Sequence, residues 1–129
     1  MNWPRAHWIV GLLTLLAFPL TGQYMRHVAN VPHLDDVTRL VFRSRRLLIL
    51  AAGVANIALS NSQPFHRAQR AASILIMLAP FLLIAAFFMD PARGLHSSQI
   101  FRWAMYSLWI ASILLAIVNR PRGERAKSP

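Results

Sequence analysis

The chain has 129 residues, enough for one domain, and it combines 56% hydrophobic residues with a formal net charge of +10. A soluble domain seldom has both properties. The sequence contains no cysteine, which excludes disulfides, thiolate metal ligands and a thiol nucleophile.

The spacing of the charged residues leaves four long uncharged segments. Uncharged runs of 20, 20, 19 and 17 residues follow Arg5, Arg46, Arg70 and Arg102, respectively. A hydrocarbon core of about 30 Å requires about 20 helical residues with a rise of about 1.5 Å each. The sequence therefore predicts an all-α, integral membrane four-helix bundle with spans at roughly 6–25, 42–61, 70–89 and 101–119. These spans form a single domain, 1–119, and a short basic tail at 120–129 is expected to be disordered.

The first segment has two features of a signal peptide, namely Arg5 near the start and an apolar run after it. If Gly22 stood at the cleavage site, however, Leu20 would occupy the position two residues earlier, where a small residue is required. We therefore expect this segment to remain as the first membrane helix.

The second span is predicted to continue an amphipathic helix that begins at about residue 35. Asp35 is expected to cap its N-terminus, and Asp36 would interact favourably with the helix dipole. Its apolar core, residues 47–59, has only 13 residues, or about 20 Å of helix. To cross the hydrocarbon this helix must include the preceding turn, so its arginines would extend toward the headgroups.

Pro80 lies near the centre of the third segment. A proline at this position leaves the carbonyl group four residues earlier, that of Ile76, without its helical donor. We expect a packed kink there, with a hinge as the alternative.

One end of the predicted bundle collects polar side chains with an excess of positive charge. Arg39, Arg43 and Arg46 have the i, i+4, i+7 spacing of a single helix face, and Asp90 is the only acid that another span brings to this end. Guanidinium groups match phosphate and carboxylate oxygens. The predicted binding site for an anionic lipid or ligand comprises Arg39, Arg43, Arg46, Gln23, Tyr24, Asp90 and Tyr106. Solvated or lipid-bound arginines are the simpler alternative.

Three polar residues are predicted to lie near the middle of their spans: Thr14, Asn56 and Ser112. A buried amide requires hydrogen-bond partners, and hydroxyl groups on facing helices can supply them. This polar layer is expected to hold the helices together, with a binding site for a transported solute as the alternative.

Haem b would require two facing histidines inside the spans. All five histidines are instead predicted at helix ends or in loops, where ordinary interfacial histidines are found. The sequence has no paired carboxylates in one site, no glycine-rich phosphate loop and no serine-nucleophile motif, so it predicts no enzyme, no metal and no cofactor.

We therefore expect a multi-pass membrane protein of a bacterial inner membrane that acts as a non-enzymatic binding or accessory subunit. Membrane lipids with anionic headgroups are its expected partners, together with further copies of the chain or a larger membrane complex, and nucleic acid is not expected. The alternatives are a small-solute transporter acting as a homo-oligomer and a haem b-binding electron carrier.

Overall fold

The computed structural model describes residues 2–61, 67–93 and 99–118, without the side chains of 90–93 and 118. Within these ranges the fold is all-helical. Its four long helices are α1 (Trp3–His27), α2 (Asp36–Leu59), α3 (Arg67–Arg93) and α4 (Gln99–Val118), and a short 3₁₀ turn, Val31–His33, precedes α2. The predicted tail, 120–129, lies outside the described residues.

Three of the helices are long and apolar enough to cross a membrane: Trp3–His27, Arg67–Met89 and Gln99–Ile117. This finding indicates a membrane protein. The second helix has 24 residues, or about 36 Å, so its length also suffices. Its composition, however, is too polar for it to count as a candidate span, because Arg43, Arg45 and Arg46 lie near its middle. The predicted extension is part of this helix, which runs without a break from Asp36.

Consecutive helices pack side by side. Helix α1 packs on α2, α2 on α3, and α3 on α4, whereas α1 and α4 make no extensive contact within the described ranges. The first pair packs tightly at two glycines, Gly11 and Gly53. A Cβ atom at Gly11 would lie 2.8 Å from Ile57 Cγ1, and one at Gly53 would lie 3.1 Å from Leu15 Cδ2. These contacts show that α1 and α2 run antiparallel with their backbones close together.

The buried face of α1 is built mainly from small and polar residues, whereas most of its leucines are exposed. The buried positions recur every three, four or seven residues, at His7, Gly11, Thr14, Thr21 and Met25. The exposed ones include Leu12, Leu13, Leu16 and Leu20. A helix in water would bury its leucines, whereas membrane helices pack through small and polar residues and leave large apolar side chains to lipid.

Aromatic side chains form the core where α1, α2 and α3 meet. The ring of Phe87 is fully buried, and it meets Phe42 edge to face with ring centroids 5.4 Å apart. Tyr24 adds similar contacts with Phe87 and Phe88, at 6.1 and 4.9 Å. This core holds the second half of α1 and the first half of α2 in place, and the arginines of α2 lie beside it.

The turn between α1 and α2 has two local determinants. Asn30 adopts the left-handed conformation, with φ of 47°, which asparagine tolerates better than most residues. Asp35 caps α2, since its carboxylate accepts a 2.9 Å hydrogen bond from the backbone N–H of Thr38. The predicted N-cap is thus confirmed.

Candidate functional site

A cavity lined by four arginines lies between the end of α1 and the beginning of α2. Its volume is about 290 Å³, and its lining includes Gly22, Met25 and the 3₁₀ turn together with Arg26, Arg39, Arg43 and Arg46. The volume is at the lower end of the range of roughly 300–1,000 Å³ for small-molecule sites. The cavity is therefore suited to a group the size of a lipid headgroup.

Arg46 is the most firmly held of these arginines. Its Nε–H donates to the backbone carbonyl of Phe18 at 3.2 Å, and its Cζ lies 4.1 Å from the centroid of the Phe18 ring. The guanidinium also lies directly against Gly22, where a Cβ atom would be 2.7 Å from Nη2. Helix α1 thus supplies an acceptor, an aromatic face and an open space for this one side chain.

The other three arginines differ in their partners. Arg39 forms a salt bridge with Asp36 one turn earlier on α2. Arg26 and Arg43 are exposed, and within the described ranges no carboxylate pairs with Arg26, Arg43 or Arg46. The cavity consequently carries an excess of positive charge.

The structure brings together three of the seven residues predicted for this site: Arg39, Arg43 and Arg46. Gln23 is exposed and does not line the cavity, and Tyr24 belongs to the aromatic core. Tyr106 lines a separate cavity of about 300 Å³ at the beginning of α4, with Gln99, Arg102 and Trp103. The side chain of Asp90 lies outside the described part of the structure. Two residues that sequence reasoning did not select, Gly22 and Arg26, are part of the lining.

Arg45 is a further residue that the sequence analysis did not include in a site. Its side chain is buried, its Nη1 donates to the carbonyl of Ala86 at 3.2 Å, and its Cζ lies 5.0 Å from the centroid of Phe101. It therefore connects α2 with both α3 and α4. A sequence signal existed, because Arg45 has the spacing of the buried stripe formed by Phe42, Ile49, Ala52 and Asn56.

A buried polar network connects the other ends of the first three helices. Asn56 is completely buried, and its Nδ2 donates to the carbonyl groups of Ala52 at 2.9 Å and Ile76 at 3.1 Å. Its Oδ1 lies 2.9 Å from Nδ1 of His7. Ile76 is the residue whose carbonyl Pro80 was predicted to release, so the amide of Asn56 supplies the partner that the proline removes.

The network also assigns the proton on His7. Since both donors of the Asn56 amide are directed at carbonyl groups, its Oδ1 is the acceptor, and Nδ1 of His7 must carry the hydrogen. Nε2 of His7 is buried and has no hydrogen-bond partner within the described ranges. His7 lies near the beginning of α1, as predicted for a histidine at a helix end, but its side chain is only 1% exposed, and the sequence analysis did not predict this burial. The spacing of His7 from Gly11 and Thr14 was the sequence signal for its burial.

The predicted layer of Thr14, Asn56 and Ser112 does not form hydrogen bonds between its members. Thr14 is buried, but its hydroxyl donates to Val10 of its own helix at 2.6 Å. Ser112 is exposed, and its hydroxyl donates to Leu108 at 2.8 Å. Of the three, Asn56 is the one that connects helices, with His7 as its partner.

The fold and these two sites define a class: an all-helical protein with three helices fit to cross a membrane, an arginine-lined cavity near one end and a buried histidine–asparagine pair near the other. No protein-family model matches the chain, and no characterised protein or solved structure is significantly similar to it. Within the described ranges, no three histidine or acidic side chains come together as metal ligands.

Proposed function

We propose that this chain is a four-helix bundle that crosses a bacterial inner membrane four times. It would act as a non-enzymatic binding or accessory subunit that holds an anionic phosphate group in its arginine-lined cavity. The observation that carries the proposal is the convergence of Arg26, Arg39, Arg43 and Arg46 on one cavity of about 290 Å³.

The inclusion of α2 as a fourth span is supported by the contacts of the arginines that interrupt its apolar run. Arg45 is bound to α3 and α4 through Ala86 and Phe101, and Arg46 is bound to α1 through Phe18. Charged groups inside a membrane protein are tolerated where they face the bundle and find carbonyl groups or rings as partners. With these two arginines turned inward, α2 can lie in lipid despite its charge.

An anionic ligand is supported by the charge around the cavity. Of the four arginines that line the cavity, only Arg39 has a carboxylate partner among the described residues. Guanidinium groups form short, charge-assisted hydrogen bonds with phosphate oxygens, and these bonds are about twice as strong as neutral ones. The ligand could be the headgroup of a membrane lipid or a soluble phosphate compound, since both present the same chemistry.

The exposed apolar faces of α1 and α4 support membrane partners. They include Leu16 and Leu20 on one helix, and Trp103 and Trp109 on the other. Lipid covers such faces in a membrane, and a second copy of the chain or a larger membrane complex would find the same surfaces available.

Native mass spectrometry from a mild detergent tests the proposal. The double variant Arg26→Gln/Arg43→Gln removes two cavity charges, and Arg5→Gln/Arg70→Gln removes two exposed charges near the opposite end. We expect the first variant to lose most of the anionic lipid or phosphate compound that co-purifies with the wild type, and the control to keep it. If both variants retained the anionic lipid or phosphate compound equally, the arginines would serve only to anchor the protein at the membrane interface.

Haem b binding is a second candidate because of the His7 geometry. Histidines that bind metals usually donate their other ring N–H to an oxygen acceptor, which leaves Nε2 as the ligand, and His7 has this arrangement with Asn56. A Soret band that His7→Phe abolishes would support this function, and a colourless protein expressed with haem would exclude it. Transport through Thr14, Asn56 and Ser112 has less support, because each of these side chains already has a hydrogen bond.

A further inference from the structure

We propose that the arginine-lined cavity selects phosphate groups with two or more negative charges, that is phosphomonoesters or diphosphates, through the fixed guanidinium of Arg46. The inference rests on the proposed function of the same cavity and specifies its ligand class. Gly22 and Phe18 are the residues that hold this guanidinium in position.

The orientation of Arg46 leaves its two terminal nitrogens for the ligand. Nε is used in the bond to the Phe18 carbonyl, and Cζ lies 4.1 Å from the centroid of the Phe18 ring. No hydrogen bond from Nη1 or Nη2 is present within the described ranges. These two nitrogens form the fork that binds two oxygens of one phosphate. Because the fork is already fixed, it loses little conformational freedom when a ligand binds.

Gly22 makes this position of the guanidinium possible. A Cβ atom there would lie 2.7 Å from Nη2, 2.8 Å from Cζ and 3.2 Å from Nη1 of Arg46. Any other residue would therefore displace the fork while leaving the charge of Arg46 in the protein. Substitutions at Gly22 and at Arg46, which are in contact, can therefore separate the effect of the guanidinium position from the effect of its charge.

The charge around the cavity determines how many negative charges the ligand should carry. Arg39 is offset by Asp36, and the other three arginines of the lining, Arg26, Arg43 and Arg46, have no carboxylate partner among the described residues. A phosphodiester or a carboxylate supplies one negative charge and leaves most of this repulsion in place. A phosphomonoester near neutral pH supplies nearly two, since its second pKa is about 6, and a diphosphate supplies more.

The experiment compares phosphatidic acid, a phosphomonoester lipid, with phosphatidylglycerol, a phosphodiester, at equal mole fractions in nanodiscs of otherwise zwitterionic lipid. Native mass spectrometry after release into mild detergent reports which lipid is retained. Lipid-free protein with inorganic pyrophosphate tests the soluble source of the same chemistry. The variants are Arg46→Lys, which keeps the charge and loses the fork, Gly22→Ala, which displaces the fork, and Arg70→Lys as a matched control at an exposed arginine outside the cavity.

We expect the wild type to prefer phosphatidic acid at least fivefold, or to bind pyrophosphate. Arg46→Lys should lower that binding about tenfold, as expected for the loss of a bidentate charge-assisted pair, and Arg70→Lys should change it less than about twofold. Binding that does not distinguish the two lipids, or equal effects of the two lysine variants, would overturn the selection by Arg46. The function of the cavity would still stand in that case, provided that Arg26→Gln/Arg43→Gln loses anion binding. If Gly22→Ala does not fold, Arg46→Lys alone decides.

Discussion

The buried network around Asn56 provides a stringent test of the helix packing. Asn56→Leu replaces the amide with an apolar side chain of similar size. It removes the acceptor of the His7 Nδ1–H and the donor to the Ile76 carbonyl. The carbonyl of Ala52 is less affected, because it also accepts the backbone N–H of residue 56 within the helix. The substitution therefore leaves two buried polar groups without partners.

The expected loss of stability follows from these two groups. A buried donor or acceptor without its partner costs about 1–3 kcal/mol. Hydrogen bonds between membrane helices average only about 0.6 kcal/mol, because the unfolded chain in a membrane finds other partners. Two groups thus give a loss of at least about 1 kcal/mol, and we expect a value of about 2 kcal/mol for Asn56→Leu.

Equilibrium unfolding in mixed micelles, followed by circular dichroism, measures this loss. Ser112→Ala is the control, since Ser112 is exposed and bonds only to its own helix, and it should change stability by less than about 0.5 kcal/mol. The double variant His7→Phe/Asn56→Leu has no imidazole that lacks a partner. The stability losses of the two single variants should therefore sum to more than the loss of the double variant. Additive effects, or a loss for Asn56→Leu no larger than for Ser112→Ala, would refute the network.

Two further predictions concern the α1–α2 pair. Gly11→Ala places a Cβ atom 2.9 Å from the backbone N of Ile57, so the two helices must separate. We expect Gly11→Ala to lower the free energy of unfolding by about 1–3 kcal/mol in the same unfolding assay. Gly53→Ala should cause a smaller loss, because the nearest atom there belongs to a Leu15 methyl group that can move. Hydrogen bonds from the backbone N–H and then the side chain of Thr38 hold the pKa of Asp35 below its usual value of 3.8. The stability that this carboxylate contributes is present above its unfolded-state pKa and is lost as pH falls through the lowered folded-state value. Asp35→Asn should therefore weaken the acid dependence of unfolding between about pH 5 and pH 2, and an unchanged pH profile would contradict the cap.

The sequence was sufficient to predict the helices because charge spacing and span length are local properties. The predicted boundaries at 6–25 and 70–89 lie inside α1 and α3, and the capping role of Asp35 followed from residue type and position alone. For α2, length and composition give opposite answers to whether the helix can span a membrane. Its 24 residues suffice to cross a membrane, but its arginines exclude it on composition.

The direction of each side chain was harder to predict because it depends on which helices are neighbours. Arg45 and Arg46 are adjacent in sequence, yet one contacts α3 and α4 and the other contacts α1. Tyr24 and Tyr106 were grouped by depth, but they lie in different surroundings because α1 packs on α2 and α4 packs on α3. His7 was placed with the interfacial residues because depth alone does not reveal a partner such as Asn56.

The inward contacts of Arg45 and Arg46 have a consequence for orientation in the membrane. In the proposed four-span arrangement, seven basic residues fall on the side of residues 1–5 and 120–129, and seven fall on the other side. The positive-inside rule concerns charges in loops near the ends of spans. Two of the second group, Arg45 and Arg46, are instead bound to neighbouring helices. Without them, seven basic residues remain on the side of residues 1–5 and 120–129 and five on the opposite side. In the proposed four-span arrangement this difference favours a cytoplasmic location for both ends of the chain.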